Sequence, residues 1–139
     1  MIEGLDPADR ALVEAAHGLL DTRYVEGRHE VAAAVRMRSG AVHLGLHVES
    51  SIGRASICAE GIAIGTALAA GEAEIDTIAA VLRLPDGTWR VVSPCGLCRE
   101  LIGDYGPSAH VIDFDAGTVR RVTIASLLPS KTTRRWAWS

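Results

Sequence analysis

Aromatic side chains are scarce, at 4% of the 139 residues against 48% hydrophobic residues overall. A platform that stacks successive bases of a single strand needs several rings, so that mode of nucleic-acid binding is disfavoured. Positive charge is not in excess either: 14 Lys and Arg against 17 Asp and Glu leave a net charge of −3. The basic footprint of a protein that neutralises phosphates is missing. No apolar run approaches the roughly 20 residues that span a bilayer; the longest lies around Ile62 to Ala70. The opening Met1-Ile2-Glu3-Gly4 has no charged-then-apolar signal pattern. A soluble cytoplasmic protein, with neither nucleic acid nor membrane as partner, is the expectation. Cysteine is also sparse. Three residues, an odd number without an export signal, argue against a disulfide framework and for thiols kept for metal or catalysis. No Ser/Gly-rich linker, charge block or internal repeat divides the sequence, so one domain over residues 1–139 is expected.

The remaining pattern alternates helix and strand. Asp6 before Pro7 reads as an N-cap with Pro at the first helical position, and Leu12, Val13, Ala16, Leu19 and Leu20 then recur at helical spacing. Val31 to Met37 and Ala41 to Val48, joined by Ser39-Gly40, read as a β-hairpin. Cys58 to Ala70, closed by Gly71, has the apolar density of a buried helix, and its small residues suit close packing. Ile75 to Leu84 fits an inner strand ended by Pro85-Asp86-Gly87. Cys95 to Tyr105 reads as a helix, 109–114 and 118–123 as short strands, and Ile124 to Leu128 as a last short helix. The fold class expected is α/β, a three-layer α/β/α sandwich around a five-stranded mixed sheet.

All three cysteines fall in two motifs, Cys58-Ala59-Glu60 and Pro94-Cys95-Gly96-Leu97-Cys98, with one strand between them. A C-x-x-C pair alone leaves a redox dithiol, a structural metal site or two buried thiols open. Three thiolates without a fourth protein ligand suit a catalytic zinc with one position free for water. Cys58 and Cys95 each fall where a helix begins, and Cys98 lies one turn beyond Cys95 on the same face, so the sulfurs can converge where two helix N-termini meet. The partial positive charge there favours thiolates. It also offsets the formal −1 charge of a tris-thiolate zinc site, with Arg54 and Arg99 as further charge-balancing candidates. Glu60, two residues beyond Cys58, is placed to take a proton from water and return it to a leaving amine.

These motifs resemble those of the zinc-dependent cytidine deaminase superfamily, and most closely its small, cysteine-ligated homotetrameric branch with cytidine and blasticidin S deaminases. The similarity extends from the first helix to Leu127-Leu128-Pro129-Ser130. It implies Zn2+ held by Cys58, Cys95 and Cys98, with Glu60 as proton shuttle. The Ser93 carbonyl would accept from the substrate amino group, and the backbone at Ala59 would face the reacting carbon. Several subunits would build each pocket of a homotetramer. The implied substrate is a free aminopyrimidine nucleoside of the cytidine or deoxycytidine kind, or else a nucleoside antibiotic or another amino-heterocycle. Some positions depart from the family. His47-Val48-Glu49 stands where Asn-x-Glu holds ribose hydroxyls, so His47 and Glu49 are candidate polyol contacts. His29 stands where a Phe usually stacks on the base, and Gly61 where an arginine usually bonds the thiolates. Trp136 and Trp138 are expected to pack into a neighbouring subunit or over a pocket. His17, His43, His110 and the pairs Arg120-Arg121 and Arg134-Arg135 are read as structural or solvated, and Tyr24 as an anchor for the loop after the first helix. A non-catalytic zinc module, a dithiol redox protein and a nucleic-acid deaminase are the rival classes.

Overall fold

The computed structural model describes residues 1–133. Helix α1 (Pro7–Arg23) begins where Asp6 accepts a hydrogen bond from the Asp9 amide, which satisfies one of the donors that a helix start leaves open. Strands β1 (Val31–Met37) and β2 (Val42–Leu46) form the expected antiparallel hairpin, with Ala34 opposite Leu44. Helix α2 (Ala59–Ala69) follows, then β3 (Ile75–Arg83), β4 (Trp89–Val91), α3 (Gly96–Tyr105), β5 (His110–Asp115), β6 (Thr118–Thr123) and α4 (Ile124–Leu127).

The sheet has six strands rather than five. Its path runs β2-β1-β3-β5-β6, with β4 paired to β3 beside that path. Three residues after a Pro-Asp-Gly turn are too few to show a periodicity, which is why β4 is not evident in the sequence. The parallel partner β5 meets β3 only at Thr77 and Ile78, while β4 takes the same edge further on, at Val81 to Arg83. The two neighbours divide one edge, and the chain leaving β4 enters the space between them.

Three layers result. Leu12, Val13, Ala16 and Leu20 of α1 pack on Ala32, Ala34, Ala79 and Val81 from one side of the sheet. On the other side Ala59, Ala63, Ile64 and Ala67 of α2 and Ile102 of α3 pack on Ala33, Val35, Ile78 and Val111. Alternate residues of β1 thus serve opposite cores, as the strand period of two requires. Among the described residues no helix is long and apolar enough to cross a membrane.

Arg121 is not a solvated charge. It reaches Asp9 at 2.6 Å, and Arg36 meets the other oxygen of the same carboxylate at 2.7 Å, with Asp9 itself only 1% exposed. Burial of one carboxylate is sustained by two guanidinium groups, one on each of its oxygens. Arg120 likewise pairs with Asp113 and Asp115 across the β5–β6 ladder. His17 stacks on Trp89 with ring centroids 4.1 Å apart, and Tyr24 lies beneath the Arg83 guanidinium, holding the end of α1 to β3. Positions 134, 135, 136 and 138, with the expectations for their Arg and Trp residues, lie outside the described residues.

Gly45 sets how closely α2 approaches the sheet. A Cβ there would stand 2.3 Å from the Ala63 amide nitrogen and 2.4 Å from the Ala59 carbonyl, both backbone atoms that no rotamer change can move. Because Ala59 adjoins Cys58, this contact also fixes the height of the first motif above β2. Gly45→Ala is expected to lower stability by about 3 kcal/mol or more, the upper part of the overpacking range, and to reduce bound zinc per chain. Urea unfolding and metal analysis check both outcomes; an unchanged midpoint would refute the close approach.

Candidate active site

Both motif helices start on a cysteine. Cys58 is the N-cap of α2 and Cys95 the N-cap of α3, so each motif delivers a sulfur at a helix start. They lie 3.6 Å apart, and with Cys98 the three Sγ atoms all fall within 4.8 Å of one another. Cys98 is buried, Cys58 half-buried and Cys95 exposed. The expectation that α2 and α3 would bring three sulfurs to one point is met.

The electrostatics of this cluster call for a cation. Burial pushes the Cys98 thiol far up, with the Glu60 carboxylate adding to it. Burial, then the bond with Cys95, raises Cys58 as well. For Cys95 burial acts in the same direction but is outweighed by the amides of Cys98 and Leu97 and by the neighbouring thiols, which hold it below its ordinary value. Three thiolates so close and partly desolvated would repel one another strongly. A divalent ion removes that conflict, and three sulfur donors at tetrahedral-scale separations fit zinc. The three sulfurs together can hold one metal ion.

Glu60, on the first turn of α2, is only 6% exposed, and its Oε2 accepts from the Cys98 thiol at 3.5 Å. Burial raises its proton affinity, opposed by its own amide, the Cys98 thiol and the His47 charge. With Cys58, Ala59, Cys95, Ser93, Val92, Val31 and His47 it lines an open cleft of about 230 Å³. A second cleft of about 100 Å³, lined by Gly27, Arg28, Glu30 and Glu49, shares Val31 and His47 with the first. Together they reach the lower end of the roughly 300–1,000 Å³ usual for small-molecule sites.

The other candidate residues separate into distinct positions. His47 Nε2 lies 2.8 Å from Glu49 Oε2, and the other Glu49 oxygen accepts from Ser56 Oγ at 3.0 Å. Glu49 is therefore already held before any hydroxyl arrives, with its acidity raised first by the His47 bond and then by that of Ser56. His29 lines neither cleft among the described residues; its Nδ1 donates to the His47 carbonyl at 2.9 Å and braces the end of β2. Arg54 sits on an exposed 3-10 turn (Gly53–Ala55). Arg99 donates to the carbonyls of Pro94 and Leu127, both at 3.0 Å, so it clamps the turn before Cys95 to the end of α4. Neither arginine donates to a sulfur among the described residues, which leaves local charge compensation to helix-start amides. Two residues were not anticipated. Ser56 holds Glu49, and nothing in the sequence marks it; Asp113, a lone acid inside the apolar run His110–Phe114, is buried against Ser93.

A three-layer α/β sandwich whose two helix starts deliver three thiols and a buried glutamate defines a zinc-dependent deaminase class. Residues 7–113 match the family described as "Cytidine and deoxycytidylate deaminase zinc-binding region", and the chain belongs to that family. It is 44% identical over 131 residues to a blasticidin-S deaminase of Bacillus cereus, covering 91% of this chain and 93% of that one. A cytidine deaminase of Halalkalibacterium halodurans is 31% identical over 104 residues, 73% of this chain and 76% of its own. Among solved structures, the cytidine deaminase of Burkholderia pseudomallei superposes with a TM-score of 0.74 at 31% identity, covering 88% of this chain and 98% of that one. That of Bacillus anthracis, at 21% identity, shares the fold with a TM-score of 0.78 over 93% and 92% of the two chains.

The raised Glu60 pKa has a stability consequence whose sign is fixed. Between the ordinary carboxylate value and the raised one the native state holds more protons than the unfolded chain, so stability falls as pH rises through that window. In zinc-free protein Glu60→Gln is therefore expected to melt higher than the parent at pH 8, with the difference shrinking toward pH 4. Thermal melts of both proteins across that range check it; a constant difference would refute burial as the cause.

Proposed function

We propose that the protein is a zinc-dependent hydrolytic deaminase of a free aminopyrimidine nucleoside or nucleoside-like compound, exchanging one ring amino group for oxygen. The observation that carries this reading is the meeting of Cys58, Cys95, Cys98 and buried Glu60, with Cys58, Cys95 and Glu60 lining one open cleft and Cys98 beneath Glu60. Those cysteines would hold the ion, and zinc supplies, when bound, the Lewis acidity that makes a water proton removable near neutral pH. Glu60 takes that proton as oxygen adds to the amino-bearing carbon. It passes that proton to the adjacent ring nitrogen, then takes the proton of the added hydroxyl and delivers it to the departing amine. One water enters and one ammonia leaves, with no redox change. The raised proton affinity of Glu60 suits a group that must both accept and donate a proton. The Ala59 amide, first in α2, would stabilise charge on the added oxygen, and the Ser93 carbonyl would accept from the substrate amino group. His47 and Glu49, in the adjoining cleft, would meet the sugar or its replacement, with His29 behind them.

Cytidine or deoxycytidine is the first substrate reading, on family grounds. A nucleoside antibiotic of the blasticidin S type is the second, favoured by the near full-length similarity to the B. cereus protein and by a Glu49 already engaged by His47 and Ser56. A free cytidine-type ribose would have to compete for that carboxylate.

Soluble, cytoplasmic residence in a reducing compartment is part of the proposal, supported by three unpaired thiols. So is a homotetramer with shared pockets. Ile57 and Leu101, 46% and 37% exposed, lie against Gly61, and Leu97, between Cys95 and Cys98, is 77% exposed; these apolar side chains suit cover by another copy. Light scattering is expected to give four chains per particle, and Leu97→Glu to lower that number; a monomeric parent would refute the assembly.

An ammonia-release panel with cytidine, deoxycytidine, blasticidin S and other amino-heterocycles tests the activity. The parent is expected to turn over at least one compound, and Glu60→Gln to keep its zinc while losing at least about 10²-fold in rate. Equal rates in the two proteins would remove Glu60 from its role.

A further inference from the structure

Asp113 is a buried acid outside the motif residues, 3% exposed, on the strand that the second motif faces. Its Oδ1 lies 2.5 Å from Ser93 Oγ, the short distance of a hydroxyl bound to a carboxylate. The same hydroxyl lies 2.9 Å from the Phe114 carbonyl. The other Asp113 oxygen receives Arg120, at 3.3 Å from Nη2 and 3.4 Å from Nε, and the same guanidinium reaches Asp115 at 3.3 Å. A chain of charge and hydrogen bonds thus runs from β6 through β5 to the side chain of Ser93.

Ser93 lies in the short link between β4 and α3 that enters the space where β4 and β5 part. One neighbour, Val92, is fixed by its amide to the Ala80 carbonyl at 3.0 Å; the other, Pro94, has no N–H to donate. Ser93 nevertheless lines the cleft with Glu60 and Cys95. With its hydroxyl turned to β5, the part left to face the cleft is backbone, and among the described residues nothing donates to its carbonyl.

We propose that Asp113, oriented by Arg120, is a positioning residue: through the Ser93 hydroxyl it fixes the Ser93 carbonyl as an acceptor that distinguishes an amino-bearing ring from its oxo product. This rests on the deaminase reading above. The amino substrate offers an N–H to that carbonyl; the product presents an oxygen there and gains nothing from the contact.

The test compares binding of matched pairs, with cytidine and blasticidin S as amino compounds and their oxo products as competitive inhibitors. In Ser93→Ala and Asp113→Asn the KM for the amino compound is expected to rise about fivefold or more, the scale of one misaligned hydrogen bond, while the product Ki stays within about twofold. Ser93→Thr, which keeps the hydroxyl, is expected to restore the parent ratio. Zinc content and melting temperature are recorded for each variant, so that loss of folding is distinguished from loss of discrimination. An active parent whose KM-to-Ki ratio is unmoved in folded Ser93→Ala would overturn the proposal. Equal weakening of substrate and product would do the same, by reducing Asp113 to a structural role. A parent that binds zinc but releases no ammonia from any compound of the amino-heterocycle panel would instead overturn the deaminase reading, and the proposal with it.

Discussion

Everything in this molecule is organised around one electrostatic problem, the crowding of three sulfur ligands and a carboxylate in a partly dry place. Two helix N-termini aimed at the same point are the backbone's contribution to solving it. Each supplies amide donors and partial positive charge at its first turn, and each starts on a cysteine. The sheet below makes the meeting possible. Gly45 lets α2 settle on β2 at backbone contact, and Arg99 holds the turn that begins α3. Neither device belongs to the metal site itself, yet both determine whether its ligands converge.

Glu60 illustrates the tension between stability and chemistry. A carboxylate that is 6% exposed loses hydration, and the native state would be more comfortable with a neutral amide in its place. The same loss of hydration raises the proton affinity of the group. Local strain of this kind is characteristic of functional sites, which retain groups that a purely structural core would exclude.

How much of this could be read in the amino-acid sequence depended on whether a feature is local. The beginning of α1 is written in Asp6-Pro7, and the hairpin in two apolar runs around Ser39-Gly40. The metal centre was legible because its geometry follows from helix starts and a one-turn spacing, both short-range properties. Features that depend on partners far along the chain were not. Strand β4 exists through its pairing with β3, since its three residues have little preference of their own. Arg121 looks like an exposed charge until β6 brings it to Asp9, and Asp113 looks like an interruption in a strand until Ser93 reaches it. His29 was assigned by the place of an aromatic ring, and the structure instead engages its nitrogen with the His47 carbonyl.

The bond from Arg121 to Asp9 spans 112 positions. The buried carboxylate of the first helix therefore has both cations in place only once β6, the last strand among the described residues, lies beside it. Contacts between segments so far apart along a chain are slow to close, because ordering the intervening loop costs entropy before the contact returns any stability.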